Sequence, residues 1–378
     1  MTADKTRKRK LTYFIGIDVS RNKLDFAVRN RDHILFHRAI VNDNAAILEF
    51  VTEIKKLEKF RMIKAVFCME DSGYYVNHVL NVLRKLKTNI HLGNPAHIKN
   101  SLGLIRDKSD RLDAIRIANY AFRYHDELQF WEPRRKIVSH LAALSTVRAR
   151  MMNILGMIKV PLKDQRGYID RTLHNQVVGC CENSLSSIVN DLNLLERSIL
   201  NIVHSDPVLS RYFKIICSVP YVGPVTAVQI IISTNEFIDI NNPRKFACYA
   251  GIAPFKQESG VMTGKAQGRI SKIGNRKIKR LIHICAVGAI RRQGEFYDYY
   301  QRRCAEGKQP LTIINAIRNK IIRRIFSCIK HDRLYSSAAA FQAFLQDDPG
   351  NPPHLTEARV PLRNQTKFAS RTPGKPLC

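Results

Sequence analysis

The first stretch of the chain consists of short apolar runs separated by polar turns. Residues 12–30 alternate as strand, polar turn and strand, and the run HILFHRAIV at 33–41 follows as a third strand of an antiparallel meander. Residues 44–57 then repeat apolar positions at helical spacing, directly after the sequence NDN at 42–44, any residue of which is able to cap a helix.

Strand and helix alternate after this meander. The nearly all-apolar run KAVFCME at 64–70 is typical of a strand covered on both faces. A helical pattern follows at 74–86, and a further strand, NIHLGNP, ends at Pro95. A meander of strands followed by alternating strands and helices predicts an α/β domain in which a mixed sheet carries helices on its faces.

Around Trp131 and Pro133 the strand signals end and two long amphipathic segments begin, at 136–158 and 183–203. Each repeats apolar residues along one stripe, which is typical of helices that pair with each other or with a second subunit. We therefore predict a helical coiled-coil or oligomerisation segment. The stripes are Leu141, Leu144, Val147, Met151, Ile154 and Ile158, and then Leu185, Ile188, Leu192, Leu195, Ile199 and Ile202.

The rest of the chain divides by composition. A turn rich in Pro and Gly, SVPYVGP, leads into a helical pattern and opens a mainly α region. The last residues are rich in Pro, Gly, Asn and Arg, so we predict a disordered tail. The predicted segments are a basic leader at 1–11, the α/β domain at 12–130, the helical segment at 131–206, a mainly α C-terminal domain at 207–335 and the tail at 336–378.

The net charge is strongly positive. Lys and Arg number 62 against 32 Asp and Glu, which gives +30, and such self-repulsion is tolerated mainly where an anionic partner relieves it. Nucleic acid is the favoured partner because neutralised phosphates release counterions; a membrane surface is the weaker candidate, and no apolar run is long enough to span a bilayer. The nine cysteines contain no CxxC pair, so we expect free thiols in a cytoplasmic protein.

Two acidic residues interrupt or end the apolar strands. Asp18 lies on the strand face shared by Phe14 and Gly16, where burying a carboxylate costs free energy unless it has a partner. Glu70 ends the apolar run AVFCM, so a second carboxylate emerges at the end of a strand that we expect to neighbour the first. A purely structural role explains Asp18 poorly.

A second acidic pair, Asp110 and Asp113, stands at the start of a helical pattern, where i, i+3 spacing brings both side chains to one face. Like charges held together favour an intervening cation, although the helix dipole alone also favours acids in a first turn. Four carboxylates from two strands and a helix suit a two-metal site for phosphoryl transfer with Mg²⁺. Asp25, Asp71 and Asp107 lie close in sequence, so spacing alone does not choose the ligands.

Motifs in both halves of the chain resemble one family. The first group is GIDVSRNKLDFAV, MEDSGYY, NPAHIKN and KSDRLDAIRIANYA, and the second is SVPYVGPVTA, FACYAGIAP, ESG and GRISKIGNRKIKR. Together, over about residues 12–330, they resemble the IS-one-ten family of insertion-sequence transposases, which includes the pilin-gene invertases. The resemblance implies a ribonuclease-H-like (RuvC-like) DEDD domain followed by a C-terminal transposase domain.

The resemblance also implies roles for individual residues. It makes Asp18, Glu70, Asp110 and Asp113 the ligands of Mg²⁺ or Mn²⁺, as two ions, and Ser259 the nucleophile. It further implies DNA as the substrate, a structured RNA of the element as guide, and a nucleoid-associated protein. Because strand exchange joins two duplexes, we expect a homo-dimer or tetramer.

Ser259 lies in the stretch KQESGVMTGK. Attack of its hydroxyl on a phosphodiester would conserve the bond in a phosphoserine link, but a serine needs activation by a base or metal. The only adjacent acid, Glu258, points to the opposite face if the segment is extended. Activation by metal is the better hypothesis, and a plain turn before Gly260 is the alternative.

No acid occurs from Ser259 through Gly294, so the cations there predict phosphate contacts rather than an ordinary solvated face. Asn275 is able to cap a helix whose inner stripe is apolar and whose outer face carries cations and His283. Gly223 would expose backbone amides at another helix start, which suits a phosphate. The predicted nucleic-acid contacts are Gly223, Lys265, Arg269, Lys272, Arg276, Lys277, Lys279 and Arg280.

Other functions remain as alternatives. A site-specific DNA invertase would use the same residues, a RuvC-like junction-resolving nuclease would leave Ser259 idle, and a non-catalytic nucleic-acid binder would need neither site. A tyrosine recombinase, suggested by EFYDYY at 295–300, gives the acidic residues no role. We expect those tyrosines to pack on the preceding helix.

Overall fold

The structure is a computed structural model that describes residues 11–93, 95–101, 109–255, 269–270 and 274–336. The chain divides into two compact units, Met1–Pro133 and Arg134–Cys378, and each is described by itself. Across the described ranges, no helix combines the length and the apolar character needed to cross a membrane.

The first unit contains a sheet and several helices. The strands are β1 (Tyr13–Val19), β2 (Lys23–Arg29), β3 (Ile34–Val41), β4 (Ala65–Glu70) and β5 (Asn89–Gly93). The helices are α1 (Asn44–Ile54), α2 (Asn77–Lys85), α3 (Pro95–Asn100) and α4 (Asp110–Arg123), with short 3-10 helices at Met62–Lys64 and Gly73–Val76. Asp43 caps α1, because its side chain accepts a hydrogen bond from the backbone N–H of Ala46 at 2.8 Å.

The five strands form one mixed sheet in the order β3-β2-β1-β4-β5. β2 is antiparallel to both β1 and β3, while β4 is parallel to β1 and β5 is parallel to β4. Short turns join the antiparallel strands, whereas the parallel strands need crossovers, which contain α1 and α2. The predicted mixed α/β sheet is confirmed; its assignment as ribonuclease-H-like stays a prediction.

Different helices pack on the two faces of the sheet. Successive side chains of a strand point to opposite faces, so each strand contributes to both cores. On one face, Ile15, Phe67 and Met69 belong to the core that includes residues of α1 and α2. On the other face, Phe14 and Cys68 pack with residues of α4. Both faces are therefore buried, as the continuous apolar sequence of β4 predicts.

Gly16 allows α4 to lie directly against β1. A Cβ atom on Gly16 would lie 2.2 Å from the carbonyl oxygen of Ala114 and 2.3 Å from the amide nitrogen of Ala118. Both alanines are fully buried and cluster with Ala27 of β2. Small residues on both sides therefore permit a backbone-to-backbone contact that fixes the distance between α4 and the sheet.

We predict that Gly16→Ala lowers the free energy of unfolding of the first unit by about 3 kcal/mol or more, since the new methyl group can fit only if α4 moves. The control is Gly156→Ala, at a helical position of the second unit with open space around it, where alanine should stabilise by up to about 1 kcal/mol. Urea unfolding of both variants provides the measurement. Similar effects of the two substitutions would contradict the close contact.

The second unit is mainly helical, as predicted. Its helices are α5 (Lys136–Asp164), α6 (Arg171–Ser205), α7 (Pro207–Ser218), α8 (Pro224–Thr234), α9 (Pro243–Tyr249), α10 (Arg276–Ile290), α11 (Glu295–Ala305) and α12 (Pro310–Lys330). Two short antiparallel strands, β6 (Pro254–Phe255) and β7 (Arg269–Ile270), complete the described elements.

α5 and α6 pack along each other as a pair of long helices. The stripe predicted on α6 is turned inward, but the stripe predicted on α5 is wrong at Val147 and Ile154, which are 42% and 47% exposed. α5 carries apolar residues on several sides, so periodicity alone does not identify its packed face. Arg148 of α5 instead donates from Nε to Glu196 of α6 at 2.7 Å. The coiled-coil assignment stays a prediction.

One hydrophobic core joins most helices of the second unit. Val138 of α5, Ile199 of α6 and Ile317 of α12 belong to the same buried cluster. The core therefore extends across residue 206, where the sequence placed a domain boundary. Tyr299 and Tyr300, from the sequence EFYDYY, pack against this core.

Arg135 links three parts of the second unit. Its guanidinium donates to both carboxylate oxygens of Asp206, at 2.8 and 2.9 Å, and also to Glu236, with an Nε–Oε2 distance of 2.8 Å. Asp206 in turn caps α7 through the backbone N–H of Leu209. These hydrogen bonds, from Arg135 first and then from the backbone, lower the pKa of Asp206 to about 2.

We predict that Arg135→Met lowers the free energy of unfolding of the second unit at neutral pH by about 3–5 kcal/mol, because the buried Glu236 loses its ion-pair partner. Asp206 has a depressed pKa in the folded state, so its stabilising effect is complete above its ordinary value of 3.8 and disappears as the pH falls towards about 2. The difference between wild type and variant should therefore shrink across this range.

Urea unfolding at a series of pH values checks this prediction. Arg211→Met is the matched control, because the partner of Arg211, Asp332, has a side chain that is 70% exposed, and exposed ion pairs contribute little. A large effect of Arg211→Met, or a pH-independent effect of Arg135→Met, would contradict the assigned role.

Candidate functional site

Asp18 and Glu70 leave the sheet at the same edge. β1 and β4 are parallel, and Ile17 pairs with Met69, so the residues that follow each of them lie side by side at the carboxyl ends of the two strands. Both carboxylates belong to the strand face that α4 covers, because Phe14 and Cys68 on the same alternation pack with α4. The carboxyl ends of parallel strands are a common location for binding sites.

α4 brings the second acidic pair to this edge. The helix begins at Asp110, and Ser109 caps it by accepting a hydrogen bond from the backbone N–H of Leu112 at 3.3 Å. Asp110 and Asp113 form the first turn, directly before Ala114, which contacts Gly16. The close contact at Gly16 therefore places the acidic end of α4 near Asp18, two residues further along β1.

Asp25 adds a fifth carboxylate to the same face. It pairs with Asp18 across β1 and β2 and is only 3% exposed. His37 of β3 bonds through Nε2 to one carboxylate oxygen at 2.9 Å, and Lys23 bonds to the other at 2.9 Å. Asp25 thus has partners on both carboxylate oxygens, unlike Asp18, with which it pairs across the two strands.

The five carboxylates repel one another. Burial first, and then the charges of Asp113, Asp110, Asp25 and Glu70, raise the pKa of Asp18 to about 6. Burial and Asp113 also raise the pKa of Glu70, while Lys99 acts in the opposite direction. Neither Asp18 nor Glu70 forms an ion pair with any residue that the structure describes. The edge therefore holds more negative charge than the protein neutralises.

Two cations neutralise the acids of α4. Lys23 bridges Asp25 and Asp110 with Nζ–oxygen distances of 2.9 and 3.0 Å, and Arg116 pairs with Asp113 one turn along the helix. Within the described ranges, no three His, Cys, Asp or Glu side chains stand close enough to hold one metal ion. The ligand set predicted from the sequence is thus gathered at one edge without forming a closed cage.

The residues at this edge fit a divalent metal by their chemistry. The site offers the hard oxygen ligands that Mg²⁺ prefers, from Asp18, Glu70, Asp110 and Asp113. Burial and the neighbouring carboxylates raise the pKa of Asp18, and a bound cation would oppose this effect. Ligation by the α4 acids would exchange the contacts with Lys23 and Arg116 for the ion.

We predict that Asp18→Asn raises the free energy of unfolding by about 1 kcal/mol, a value reduced for solvent screening, because it removes one of the mutually repelling charges. Mg²⁺ should raise the melting temperature of the wild type and have little effect on the variant, since an ion that binds only the folded state stabilises it. Differential scanning calorimetry with and without Mg²⁺ measures both effects.

Asp32→Asn is the control for this prediction, since Asp32 is exposed in the turn before β3. It should change neither stability nor the response to Mg²⁺. Loss of stability in Asp18→Asn, together with an unchanged response to Mg²⁺, would contradict electrostatic strain at this edge.

Sequence reasoning overlooked the residues that support the acids. Lys23 and His37 lie on β2 and β3, and the pairing of Ala27 with His37 places this histidine on the same face as Asp25. The alternation of side chains along a strand determines which face His37 occupies. This face can be assigned only when the register of β1, β2 and β3 is known. Arg116 follows Asp113 at i, i+3, a spacing visible in the sequence.

Part of the second predicted site lies outside the described residues. Ser259, Lys265 and Lys272 belong to the undescribed ranges, and for Arg269 the structure describes only the backbone of β7, which pairs with Phe255 of β6.

The basic helix α10 is formed as predicted. Asn275 caps it by accepting a hydrogen bond from the backbone N–H of Ile278 at 3.1 Å. Arg276 and Arg280 are exposed and Lys279 is half-buried, so these three are available to a ligand. Gly223 is the residue before α8, which starts at Pro224, as the sequence predicts.

The structure places two residues of α10 differently from the predictions, which made Lys277 a nucleic-acid contact and turned His283 outward. Lys277 is turned towards α5, where its Nζ donates to the hydroxyl and carbonyl oxygens of Ser145 at 3.2 and 3.4 Å, and burial lowers its pKa. His283 contacts Arg318 of α12 instead of facing solvent. The periodicity placed His283 opposite the apolar stripe and made no assignment for Lys277, and the contacts of both residues come from the neighbouring helices α5 and α12.

Comparison with known protein families identifies two transposase domains. Residues 15–158 match a family described as Transposase, the DEDD domain of IS110 elements, and residues 213–301 match the family described as Transposase IS116/IS110/IS902 family. The four predicted metal ligands fall in the first match, and Ser259 and α10 fall in the second. Two separate segments of the chain are therefore similar to transposase domains, and the second is similar to the IS116/IS110/IS902 family.

Known relatives extend this result along most of the chain. The pilin gene-inverting proteins of Moraxella bovis and Moraxella lacunata are each 22% identical over 326 residues, covering 85% of this chain and 96% of the relative. The 43.6 kDa protein of insertion element IS110 from Streptomyces coelicolor is 24% identical over 161 residues, covering 43% of this chain and 38% of the relative. The chain is thus similar to the pilin gene-inverting proteins over most of its length.

Among solved structures, RuvC from T. thermophilus in complex with a Holliday junction substrate is similar to part of the chain. The identity is 13%, and the match covers 32% of this chain and 99% of that chain with a TM-score of 0.26. A likeness at this level does not add to the argument on fold or function.

Proposed function

We propose that the protein is a DNA transposase or site-specific recombinase that cuts and rejoins DNA strands at the ends of an insertion sequence. The observation that carries the proposal is the gathering of Asp18, Glu70, Asp110 and Asp113 at one edge of the sheet, where Asp18 and Glu70 form no ion pair with a described residue. The two transposase domains support it. The net charge of +30 suits a polyanionic substrate.

In the proposed reaction, Ser259 acts as the nucleophile. Its Oγ loses a proton and forms a bond to the phosphorus of a phosphodiester, the bond from phosphorus to one strand oxygen breaks, and that oxygen takes up a proton and leaves as a hydroxyl. Attack by a hydroxyl of another strand then breaks the phosphoserine bond and frees the serine. Because the bond count is conserved, strands are exchanged without an external energy source.

The carboxylates would hold Mg²⁺ or Mn²⁺, as two ions, at Asp18, Glu70, Asp110 and Asp113. Bound ions would stabilise negative charge on the phosphate and lower the pKa of an attacking hydroxyl. Lys23 and Arg116, which now neutralise the α4 acids, would give up these contacts when the ions bind.

A DNA invertase of the same family is the second candidate, and the pilin gene-inverting relatives support it because they match over 85% of this chain. A RuvC-like nuclease that resolves junctions without serine chemistry is the third. We further propose a structured RNA guide, a dimer or tetramer, and action at the nucleoid in the cytoplasm. The positive charge favours nucleic-acid partners, and the paired helices α5 and α6 offer surface for a second copy.

The experiment that tests this function is capture of the protein on DNA. We predict that purified protein, incubated with Mg²⁺, any associated RNA and duplexes that contain the ends of its element, forms a covalent adduct that survives denaturing electrophoresis. Ser259→Ala should abolish the adduct and strand exchange, whereas Thr263→Ala, which removes another hydroxyl of the same stretch, should retain both.

The remaining outcomes separate the alternatives. Cleavage by Ser259→Ala at the wild-type rate, with no adduct from either protein, would support the nuclease and overturn serine chemistry. Treatment with ribonuclease before the assay tests the RNA guide, because unchanged strand exchange after this treatment would exclude it. Inverted or inserted products distinguish invertase from transposase.

A further inference from the structure

A buried arginine lies between two helices of the second unit. Arg318 belongs to α12 and is 9% exposed. A guanidinium group keeps its positive charge at all physiological pH values, although burial lowers its pKa. A charge removed from water in this way needs a partner that restores the lost interactions.

The contacts of Arg318 do not neutralise it. Its Nη2 donates to Nδ1 of His283 on α10, and its Nε is buried without a hydrogen-bond partner. No carboxylate forms an ion pair with it among the residues that the structure describes, and neither α10 nor α12 contains Asp or Glu in its sequence. The arginine therefore retains an uncompensated positive charge and a free donor.

The histidine beside it accepts from one nitrogen of the guanidinium group. Burial and the charge of Arg318 lower the pKa of His283, so the ring is neutral at physiological pH and accepts the arginine proton at Nδ1. The other ring nitrogen, Nε2, then carries the hydrogen and points away from Arg318. Arg318 Nε is therefore the donor left for an oxyanion.

Exposed cations lead along α10 towards this pair. Arg276 and Arg280 lie seven and three residues before His283, which places all three on one side of the helix. The two arginines are exposed, and His283 is half-buried against Arg318. A single row therefore leads from the exposed cations Arg276 and Arg280 to the buried cation Arg318. Such a row suits a nucleic-acid backbone, whose phosphates are regularly spaced.

A buried water is the simplest alternative occupant. Asn315, one turn before Arg318 on α12, donates from Nδ2 to the carbonyl oxygen of Ile252 at 3.0 Å and leaves its buried Oδ1 without a partner. One water could accept from Arg318 Nε and donate to Asn315 Oδ1. Such a water would satisfy hydrogen bonds but would leave the charge uncompensated.

We propose that Arg318 and His283 form a binding site for one phosphodiester of a nucleic-acid backbone, at the inner end of the row formed by Arg276, Arg280 and His283. The inference rests on the proposed function as an enzyme that acts on nucleic acid. It assigns to that enzyme a buried phosphate contact, which positions the strand within the second unit.

The test uses binding of the full-length protein to a 20-base-pair duplex of arbitrary sequence over a range of salt concentrations. Each phosphate contact contributes about 0.9 to the slope of the logarithm of affinity against the logarithm of salt concentration. Arg318→Gln should therefore reduce the slope by about one, and Arg318→Lys, which keeps the charge, should retain most of it.

Arg324→Gln is the matched control. Arg324 lies on the same helix but already pairs with Glu295 and lies 4.3 Å over the ring of Phe296. Its replacement should leave the slope unchanged and lower the melting temperature. Arg318→Gln should instead leave the melting temperature unchanged or raise it, because the substitution removes an unpaired buried charge.

Inorganic phosphate gives a second measurement that needs no DNA. It should raise the melting temperature of the wild type more than sodium chloride does at equal ionic strength, and this difference should disappear in Arg318→Gln. An unchanged slope and phosphate response in Arg318→Gln, with a lower melting temperature, would overturn the proposal and support a structural arginine with a buried water.

Failure of this site and failure of the proposed function give different results. If wild-type protein binds the duplex with the expected slope but forms no covalent adduct, the reaction is wrong and the phosphate site stands. If the adduct forms while Arg318→Gln keeps the full slope, the phosphate site is wrong and the reaction stands.

Discussion

The contact between Gly16 and α4 determines the arrangement of the acidic edge. A backbone-to-backbone contact has little freedom, because any side chain at Gly16 would overlap Ala114 and Ala118. The helix therefore begins over the carboxyl end of β1, and its first-turn acids face Asp18. The acidic edge therefore depends on the absence of a side chain at Gly16, a residue that has no functional group of its own.

Opposite charges are left without full compensation in the two units. In the first unit, burial raises the pKa of Asp18, and the neighbouring carboxylates, which lack enough positive charge, raise it further. In the second unit, Arg318 lacks a carboxylate and keeps a buried donor free. Both arrangements cost folding free energy. Under the proposed function, a bound cation would relieve the first and a phosphate would relieve the second.

Local patterns in the sequence predicted the strands and helices of the mixed sheet, the cap of α10 and the inward row of α6, because each of these features depends on residues close in the chain. Contacts between distant residues were not predictable in the same way. Lys23 bridges Asp25 and Asp110 across 87 residues, and Arg318 reaches His283 across 35, so both depend on the assembled fold. The prediction that Val147 belongs to the packed stripe of α5 was wrong for a related reason. α5 is apolar on several sides, and only the packing of neighbouring helices determines which side is buried.

The hydrogen bonds of Arg135 determine where a fragment that contains only the second unit should begin. Arg135 precedes the first residue of α5, so a fragment that starts at the helix boundary would lack it. Such a fragment would leave Glu236 buried without its cation and Asp206 without its principal donor. The proper start of an independently expressed second unit is therefore Arg134, where the compact unit begins, two residues before the helix.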